Sequence, residues 1–248
     1  MFNFFKKKEK ETNTETDLNF SSVVTDMHSH LIPGLDDGAQ NMEESIVLIK
    51  RMMDLGFKKL ITTPHVMSDY FQNTTGGILD GLEALRAELV KKNINIEIDA
   101  AAEYLLDESF GPRLDRGDIL SIGGKYVLFE LSFINYPHNL FEIIEKIKKT
   151  GYTPVLAHPE RYLYMSVSKN YQQIRESGCL LQLNVLSLIG YYGKQSKTLA
   201  EEMVDAGLVD LVGSDLHKVR HADALKKALA QPYVARLLTD FPLKNPLI

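Results

Sequence analysis

A chain of 248 residues with 44% hydrophobic content is long enough for one sizeable core, and this length is typical of a single α/β barrel domain. The net charge of −5 comes from mixed signs, which argues against nucleic acid as a partner, since a nucleic-acid-binding surface usually has a clustered basic face. The one cysteine, Cys179, excludes an internal disulfide and a cysteine-based zinc site, and it favours a reducing compartment. We therefore expect a cytoplasmic protein.

The first residues lack the pattern of a secretory signal. Phe2, Phe4 and Phe5 precede the positive charges of Lys6 and Lys7, which is the reverse of the order in a signal peptide, and no apolar run long enough for a membrane span follows. The polar composition that comes next is typical of disorder. We expect a disordered tail over residues 1–20 and a single domain over residues 21–248.

The first strand of that domain ends in a pair of histidines. Val23, Val24 and Met27 predict a short buried strand, and a period of two sends the side chains of His28 and His30 to the same face. Two imidazoles on one face can hold a metal ion, but His-x-His also occurs by chance on exposed strands. The interpretation therefore depends on whether other strand ends supply further ligands.

A strand and helix unit then repeats along the chain. Asn41, with Glu44 three residues later, predicts a helix start, and Gly56 ends that helix. Further helices are predicted at 79–91, 141–149, 171–177 and 198–206. Further strands are predicted at 58–63, 94–102, 126–131, 153–157, 179–184 and 209–214.

Seven strands that alternate with helices predict parallel βαβ units, and their number favours a closed or nearly closed barrel over a small open sheet. In such barrels the chemistry collects at the C-terminal ends of the strands. Polar residues with metal-binding groups occur at five of these predicted ends: His28 and His30, His65, Glu103, His158, and Asp215 with His217.

The residue types at these ends indicate a metal centre. Imidazole and carboxylate ligands without thiolates suit Mn²⁺, Fe²⁺ or Zn²⁺, and the share of carboxylates favours manganese. A single catalytic metal usually takes three protein ligands and keeps one open position. The chain offers more candidates than that, so we expect two or three divalent ions. The candidate ligands are His28, His30, Asp37, His65, Glu103, His158, Asp215 and His217.

Two arginines stand three residues after candidate ligands. Arg161 follows His158 and Arg220 follows His217, so each guanidinium could form charge-assisted hydrogen bonds to a tetrahedral anion. Two arginines beside several metals favour a phosphate ester over an amide as substrate. Either arginine could instead be a solvated surface charge or part of a structural ion pair.

Together these motifs resemble the polymerase-and-histidinol-phosphatase (PHP) superfamily. Within it, the Asp-Asp-Gly loop and the His-x-Glu-Arg run resemble the manganese-dependent bacterial protein-tyrosine phosphatases encoded with capsular or exopolysaccharide systems. The resemblance extends from about Thr25 to the C-terminus. It rests on these runs: Asp26-Met27-His28-Ser29-His30, Asp36-Asp37-Gly38, Thr63-Pro64-His65, Ala102-Glu103, His158-Pro159-Glu160-Arg161 and Ser214-Asp215-Leu216-His217.

The resemblance implies a distorted seven-stranded (β/α) TIM-like barrel with a trinuclear metal centre. Asp36 competes with Asp37 for one ligand position, and Asp37 is preferred because it keeps the spacing from His30. Arg161 and Arg220 would bind the substrate phosphate, although the loop that carries Arg220 is shorter than in the relatives. The implied ligand sets are His28, His30, Glu103 and Asp215 for one metal, Glu103 and His158 for a second, and Asp37, His65 and His217 for the third.

The implied activity is metal-dependent hydrolysis of phosphotyrosine in proteins, with a tyrosine-phosphorylated kinase of polysaccharide export as the partner. A metal-activated hydroxide would attack phosphorus in line, while the metals and Arg161 neutralise the equatorial oxygens. The phenolate leaving group, whose conjugate acid has a pKa of about 10, needs less protonation than an alkoxide. A histidinol-phosphate-type phosphatase, an amidohydrolase-like enzyme and an inactive metal-stabilised scaffold remain alternatives, and an oligomer stays open.

Several other polar residues admit simpler roles. Glu130 ends a strand and could support the ligands, but a hydrogen-bonded carboxylate inside the barrel explains it equally well. His221 adjoins Arg220, and we expect it to face solvent. Tyr191 and Tyr192 could border a pocket for an aromatic substrate, although packing is the more common role of tyrosine.

Overall fold

The structure is a computed structural model, and it describes residues 18–248. Residues 1–17 of the predicted tail lie outside the described part of the chain. The end of that predicted tail is packed, because Phe20 is buried and its ring stacks on Phe57 with the centroids 4.9 Å apart. The Asn19 side chain caps the 3-10 turn Phe20–Ser22 by accepting a hydrogen bond from the Ser21 N–H.

Parallel strands alternate with helices, which confirms the predicted α/β class. Residues 18–248 contain nine strands in two sheets, however, rather than seven continuous strands. The strands are β1 (Thr25–Asp26), β2 (Lys59–Thr62), β3 (His65–Val66), β4 (Glu97–Ala100), β5 (Glu103–Leu105), β6 (Tyr126–Glu130), β7 (Thr153–Ala157), β8 (Leu180–Asn184) and β9 (Leu211–Gly213). The sheet orders are β1-β2-β4 and β3-β5-β6-β7-β8-β9.

Two of the predicted strands are each followed by a second, short strand that was not predicted. The predicted strand 58–63 corresponds to β2, and β3 begins after a break at Pro64, because proline has no N–H to donate to the ladder. The predicted strand 94–102 corresponds to β4, and β5 begins after a break at Ala101 and Ala102, where the Ala102 N–H donates to the carbonyl of Leu120 at 3.2 Å. These two local breaks separate the three-stranded sheet from the six-stranded one.

The first and last strands approach each other at the polar ends. Ser29, just after β1, forms an isolated parallel bridge with Leu216, just after β9, and the His30 N–H donates to the Leu216 carbonyl at 2.9 Å. The buried carboxylate of Asp26 accepts hydrogen bonds from the Ser214 N–H at 2.9 Å and the Ser214 hydroxyl at 2.6 Å. These bonds fix the opening histidine pair beside the end of β9.

Helices lie between the strands, as predicted, and three helices were not predicted: Phe110–Arg116, and the pair Val219–Ala228 and Pro232–Asp240 that follows the last strand. The first helix of the described chain is capped by Asn41, whose side chain accepts the Glu44 N–H. No helix among residues 18–248 has the length and apolar character needed to cross a membrane. The helices are α1 (Met42–Asp54), α2 (Thr75–Lys91), α3 (Phe110–Arg116), α4 (Leu140–Lys149), α5 (Gln172–Glu176), α6 (Lys194–Asp205), α7 (Val219–Ala228) and α8 (Pro232–Asp240).

A small apolar cluster built mainly from strand residues supports the polar end. It includes Ala101 and Leu128, and each of these stands two residues before a buried glutamate, Glu103 or Glu130. Because alternate strand residues share a face, the apolar side chains and the carboxylates lie on the same side of the sheet. The two carboxylates therefore lie directly above this packed apolar cluster.

Candidate metal centre

The candidate ligands meet around one buried carboxylate, Glu103. One oxygen, Oε2, lies 3.1 Å from Nε2 of His28 and 3.5 Å from Nε2 of His30, and Asp215 Oδ1 lies 3.4 Å and 3.3 Å from the same two nitrogens. The four side chains are buried, and they offer ligand atoms within 4.8 Å of one another. This group is the first implied ligand set.

A second group surrounds Glu130, which was not predicted as a ligand. His65 Nδ1 lies 3.1 Å from Glu103 Oε2 and 3.2 Å from Glu130 Oε1. His158 Nε2 lies 3.1 Å from Glu103 Oε1 and 3.9 Å from Glu130 Oε2. The signal was present in the sequence, because Glu130 ends a strand just as the predicted ligands do.

The adjacent carboxylates Asp36 and Asp37 point in different directions. Asp37 Oδ1 lies 3.2 Å from His217 Nε2 and 3.7 Å from His65 Nε2, and its side chain is 65% exposed. The Asp36 side chain is fully buried, and its Oδ2 lies 2.7 Å from His30 Nδ1. Asp37 therefore faces the centre, whereas Asp36 holds the His30 imidazole from the side away from the centre.

Three imidazoles have their outer nitrogen fixed by an acceptor. His28 Nδ1 bonds to Gln182 Oε1 at 2.9 Å, His30 Nδ1 to Asp36 Oδ2 at 2.7 Å, and His217 Nδ1 to a backbone carbonyl at 2.9 Å. Because each acceptor requires a proton on Nδ1, the Nε2 lone pair faces the centre in the neutral ring. This is the tautomer that binds a metal.

Several buried polar atoms of these side chains form no hydrogen bond. Among residues 18–248, Nε2 of His28 and His30, Nδ1 of His65 and Oε2 of Glu103 have no hydrogen-bond partner. Leaving such groups unpaired costs about 1–3 kcal/mol each. A cation would satisfy all four atoms, and imidazole and carboxylate donors suit Mn²⁺, Fe²⁺ or Zn²⁺. The residues present therefore fit a metal cluster.

The electrostatics of the centre also favour a cation. Burial alone would lower the pKa of His28, but the carboxylates of Glu103 and Asp215 outweigh it and raise that pKa to about 9. The two carboxylates therefore favour positive charge in the centre, which bound metal ions would supply.

Two ligand-bearing residues have strained backbones. His158 has φ of +34° and Asp215 has φ of +50°, a left-handed region that non-glycine residues rarely enter. Such strain persists only where the surrounding structure holds it, and it concentrates at functional sites. His158 directly follows β7 and Asp215 lies two residues after β9, so both stand where the chain leaves a strand.

A cavity of about 390 Å³ opens over the centre, and Arg161 lies in its wall. The Arg161 Nη1 bonds to Asp215 Oδ2 at 2.8 Å. Its guanidinium carbon lies 4.7 Å from the ring centroid of Phe133 and 4.2 Å from that of Tyr192. Two aromatic faces and one carboxylate therefore hold this cation at the edge of the centre.

Arg220 lines the same cavity but is exposed, in the first turn of α7. Lys218, which was not predicted, lines it too and donates from Nζ to the Gly38 carbonyl at 2.8 Å. His221 is only 7% exposed, which corrects the expectation that it faces solvent. Its Nδ1 accepts the His217 N–H at 3.2 Å, and burial together with His217 lowers its pKa to about 4.

Strand β8 contributes two supporting residues that the sequence interpretation missed. Gln182 orients His28, and the Asn184 amide donates to Asp215 Oδ2 and to the Tyr192 hydroxyl, both at 3.1 Å. The available signal was two polar residues, two positions apart, in an otherwise apolar run. Their shared face is the one that carries the site.

Residues 24–242 match the family model described as capsular polysaccharide synthesis, CpsB/CapC. The chain belongs to the CpsB/CapC family. The resemblance to phosphatases of capsular systems is thereby confirmed, and the matched residues include every candidate ligand and both arginines.

Known CpsB/CapC relatives cover most of this chain. Tyrosine-protein phosphatase YwqE of Bacillus subtilis is 29% identical over 199 residues, which is 79% of this chain and 78% of the relative. Tyrosine-protein phosphatase CpsB of Streptococcus pneumoniae is 26% identical over 238 residues, covering 90% of this chain and 96% of the relative.

A solved structure from this group is also similar. It comes from a study of YwqE from Bacillus subtilis and CpsB from Streptococcus pneumoniae, described there as unique metal-dependent tyrosine phosphatases. The TM-score is 0.73 at 26% identity, over 88% of this chain and 96% of that chain. The fold of this CpsB/CapC member is therefore shared along nearly its whole length.

Proposed function

We propose that this protein hydrolyses phosphotyrosine in proteins with the help of bound divalent metal ions. The observation that carries the proposal is the convergence of four imidazoles on Glu103, next to the guanidinium of Arg161 in the wall of an open cavity. The names of the relatives YwqE and CpsB, both tyrosine-protein phosphatases, support the same activity.

The proposed metal count is two or three, with manganese as the preferred ion. The carboxylate share of the donor set supports manganese over softer metals. Glu130 joins the predicted ligands, because it lies beside the same two imidazoles as Glu103, 3.2 Å from His65 Nδ1 and 3.9 Å from His158 Nε2. The proposed sets are His28, His30, Glu103 and Asp215; Glu103, Glu130 and His158; and Asp37, His65 and His217.

Bound divalent ions would lower the pKa of an attacking water and neutralise the phosphoryl oxygens. The protein supplies orientation and further charge. Arg161 is fixed between two aromatic rings, so its N–H groups are directed into the cavity without a loss of side-chain freedom on binding. It would donate to the equatorial phosphate oxygens as their charge develops. The phenolate leaving group needs little protonation.

We propose different roles for the two arginines in phosphate binding and turnover. Arg161 is 21% exposed and paired with Asp215, so it binds phosphate beside the metal ligands. Arg220 is exposed at the start of α7, so it attracts the phosphate at the mouth of the cavity. We therefore expect Arg161 to dominate turnover and Arg220 to contribute mainly to binding.

We also infer that the nine strands form one distorted barrel of seven strands, two of which are interrupted. The Ala101 N–H donates to the Thr62 carbonyl at 2.9 Å and the Glu103 N–H to the Pro64 carbonyl at 3.1 Å, which supports continuity across both breaks. The bridge between Ser29 and Leu216 supports closure. A crystal structure without that bridge would contradict this inference.

The proposed partner is a tyrosine-phosphorylated bacterial kinase of polysaccharide export, and the proposed location is the cytoplasm. The family description, capsular polysaccharide synthesis, supports the pathway. Dephosphorylation of the purified kinase by this protein, followed with an antibody to phosphotyrosine, tests the pairing. A kinase that keeps its phosphate while a free phosphotyrosyl peptide is hydrolysed would exclude this partner.

The substrate class is tested by initial rates of the manganese-loaded full chain. We expect kcat/KM for a phosphotyrosyl peptide to exceed that for histidinol phosphate and for the matching phosphoseryl peptide. His158→Ala should abolish phosphate release in the same assay. Preference for histidinol phosphate would overturn the proposed substrate, and hydrolysis of an amide or lactam in place of phosphate esters would support an amidohydrolase.

A further inference from the structure

Two aromatic side chains flank the floor of the cavity, each stacked on a different site imidazole. The ring of Phe71 stacks on His65, with centroids 5.6 Å apart and planes 15° apart. The ring of Phe133 stacks on His158, with centroids 5.9 Å apart and planes 21° apart. Both imidazoles contact Glu103, so each phenylalanine stacks on a ring that touches that carboxylate.

Neither ring is needed to fill the core. Phe133 is 48% exposed and Phe71 is partly buried, and both line the cavity. An exposed phenylalanine at a cavity wall leaves apolar surface in water, which is unfavourable until a ligand covers it. Below them lie charged groups suited to a phosphate, so the apolar part of a ligand would meet these rings.

We infer that Phe71 and Phe133 form a binding subsite for the aromatic ring of an aryl phosphate monoester, and that they set the preference for aryl over alkyl phosphates. The inference rests on the proposed phosphatase function of the same cavity. With the phosphate between Arg161 and the candidate ligands, the ring on the ester oxygen would contact the two phenylalanines that line the same cavity.

Stacking and edge contacts with two rings favour an aryl group by roughly tenfold over a methyl group. Phe133 has a second contact, because one of its faces carries the Arg161 guanidinium at 4.7 Å. If that were its whole role, its loss would weaken every phosphate ligand equally. A ring subsite predicts a loss confined to ligands that carry a ring.

The test is calorimetric binding of two phosphonates to the manganese-loaded full chain. Phenylphosphonate and methylphosphonate share the anionic head group, and only the first has a ring. The variants are Phe71→Leu and Phe133→Leu, which keep apolar volume. Phe141→Leu is the matched control, because Phe141 is 38% exposed on α4 and does not line the cavity.

We expect each cavity variant to weaken phenylphosphonate binding about five- to tenfold and to leave methylphosphonate within twofold of wild type, with the control unchanged for both. Equal weakening of both ligands by Phe133→Leu would reduce Phe133 to a positioning residue for Arg161. Wild-type protein that binds both phosphonates equally would overturn the inference. These results do not depend on peptide turnover, so a failure of the proposed protein substrate is distinguishable from a failure of the ring subsite.

Discussion

Replacement of Asp36 or Asp37 by alanine should give two different phenotypes, although the residues are adjacent. The Asp36 carboxylate is buried and accepts hydrogen bonds from Nδ1 of His30 at 2.7 Å, from the Gly38 N–H at 2.9 Å and from the His65 N–H at 3.1 Å. The Asp37 side chain is 65% exposed and contacts site imidazoles alone. Asp36→Ala therefore damages the loop itself, whereas Asp37→Ala removes only a candidate ligand.

The size of the difference follows from these bonds. Each buried donor left without an acceptor costs about 1–3 kcal/mol. Three donors are affected in Asp36→Ala, and water that enters the emptied space recovers part of the loss, so we expect the free energy of unfolding to fall by about 3–5 kcal/mol. Asp37→Ala should change it by less than about 0.5 kcal/mol, as exposed substitutions do.

Urea unfolding in the presence of a chelator measures this difference without a metal contribution, and the midpoints are compared at equal slope. Metal analysis of the same variants after reconstitution should show that both bind less metal. Asp36→Ala should weaken the affinity about 10–100-fold through the lost orientation of His30. Equal midpoints for Asp36→Ala and wild type, or a larger loss in Asp37→Ala, would refute the assignment of Asp36 as the supporting residue.

Three further predictions concern other positions. Gly213→Ala places a methyl group 2.8 Å from the β-carbon of His28, so it should lower the midpoint of thermal unfolding and reduce the free energy of unfolding by about 1–3 kcal/mol. Gly76→Ala is the control and should not lower the midpoint, because the space around its new methyl group is open. Arg161→Ala should lower kcat/KM on a phosphotyrosyl peptide about 10²–10³-fold, as loss of a transition-state donor does, and Arg220→Ala less than about tenfold; the reverse order would contradict the proposed roles. Burial raises the pKa of the Cys179 thiol, so at pH 8 a thiol reagent should label the native protein far more slowly than the urea-unfolded protein. Rapid labelling of the native protein would show that the segment around Cys179 opens.

The convergence of the candidate ligands was predictable because each stands at a strand end. The alternation of strands and helices makes the strands parallel, and parallel strands place their carboxyl ends at one edge. His65 and Glu103 could be paired in this way without any knowledge of their contacts, and the structure puts them 3.1 Å apart. Their roles as metal ligands remain predictions that the metal analysis tests.

The face of the sheet that Glu130 occupies was not predictable from the same pattern. Glu130 ends β6, in which every residue is buried, so alternation did not reveal which face it occupies. Only the order of strands shows that β6 lies next to β5 and therefore brings Glu130 beside Glu103. The two breaks that precede β3 and β5 depended on Pro64, whose missing N–H was visible in the sequence, and on the bond from the Ala102 N–H to the Leu120 carbonyl, which was not.

The hydrogen bond between Asp26 and Ser214 joins residues 188 positions apart and holds the two ends of the site together. Its consequence concerns biosynthesis. The opening histidines leave the ribosome long before Asp215 is translated, so the first candidate ligand set cannot be assembled on a growing chain. The centre is therefore a late product of folding, and a truncated or stalled chain has no complete site in which to capture a metal ion.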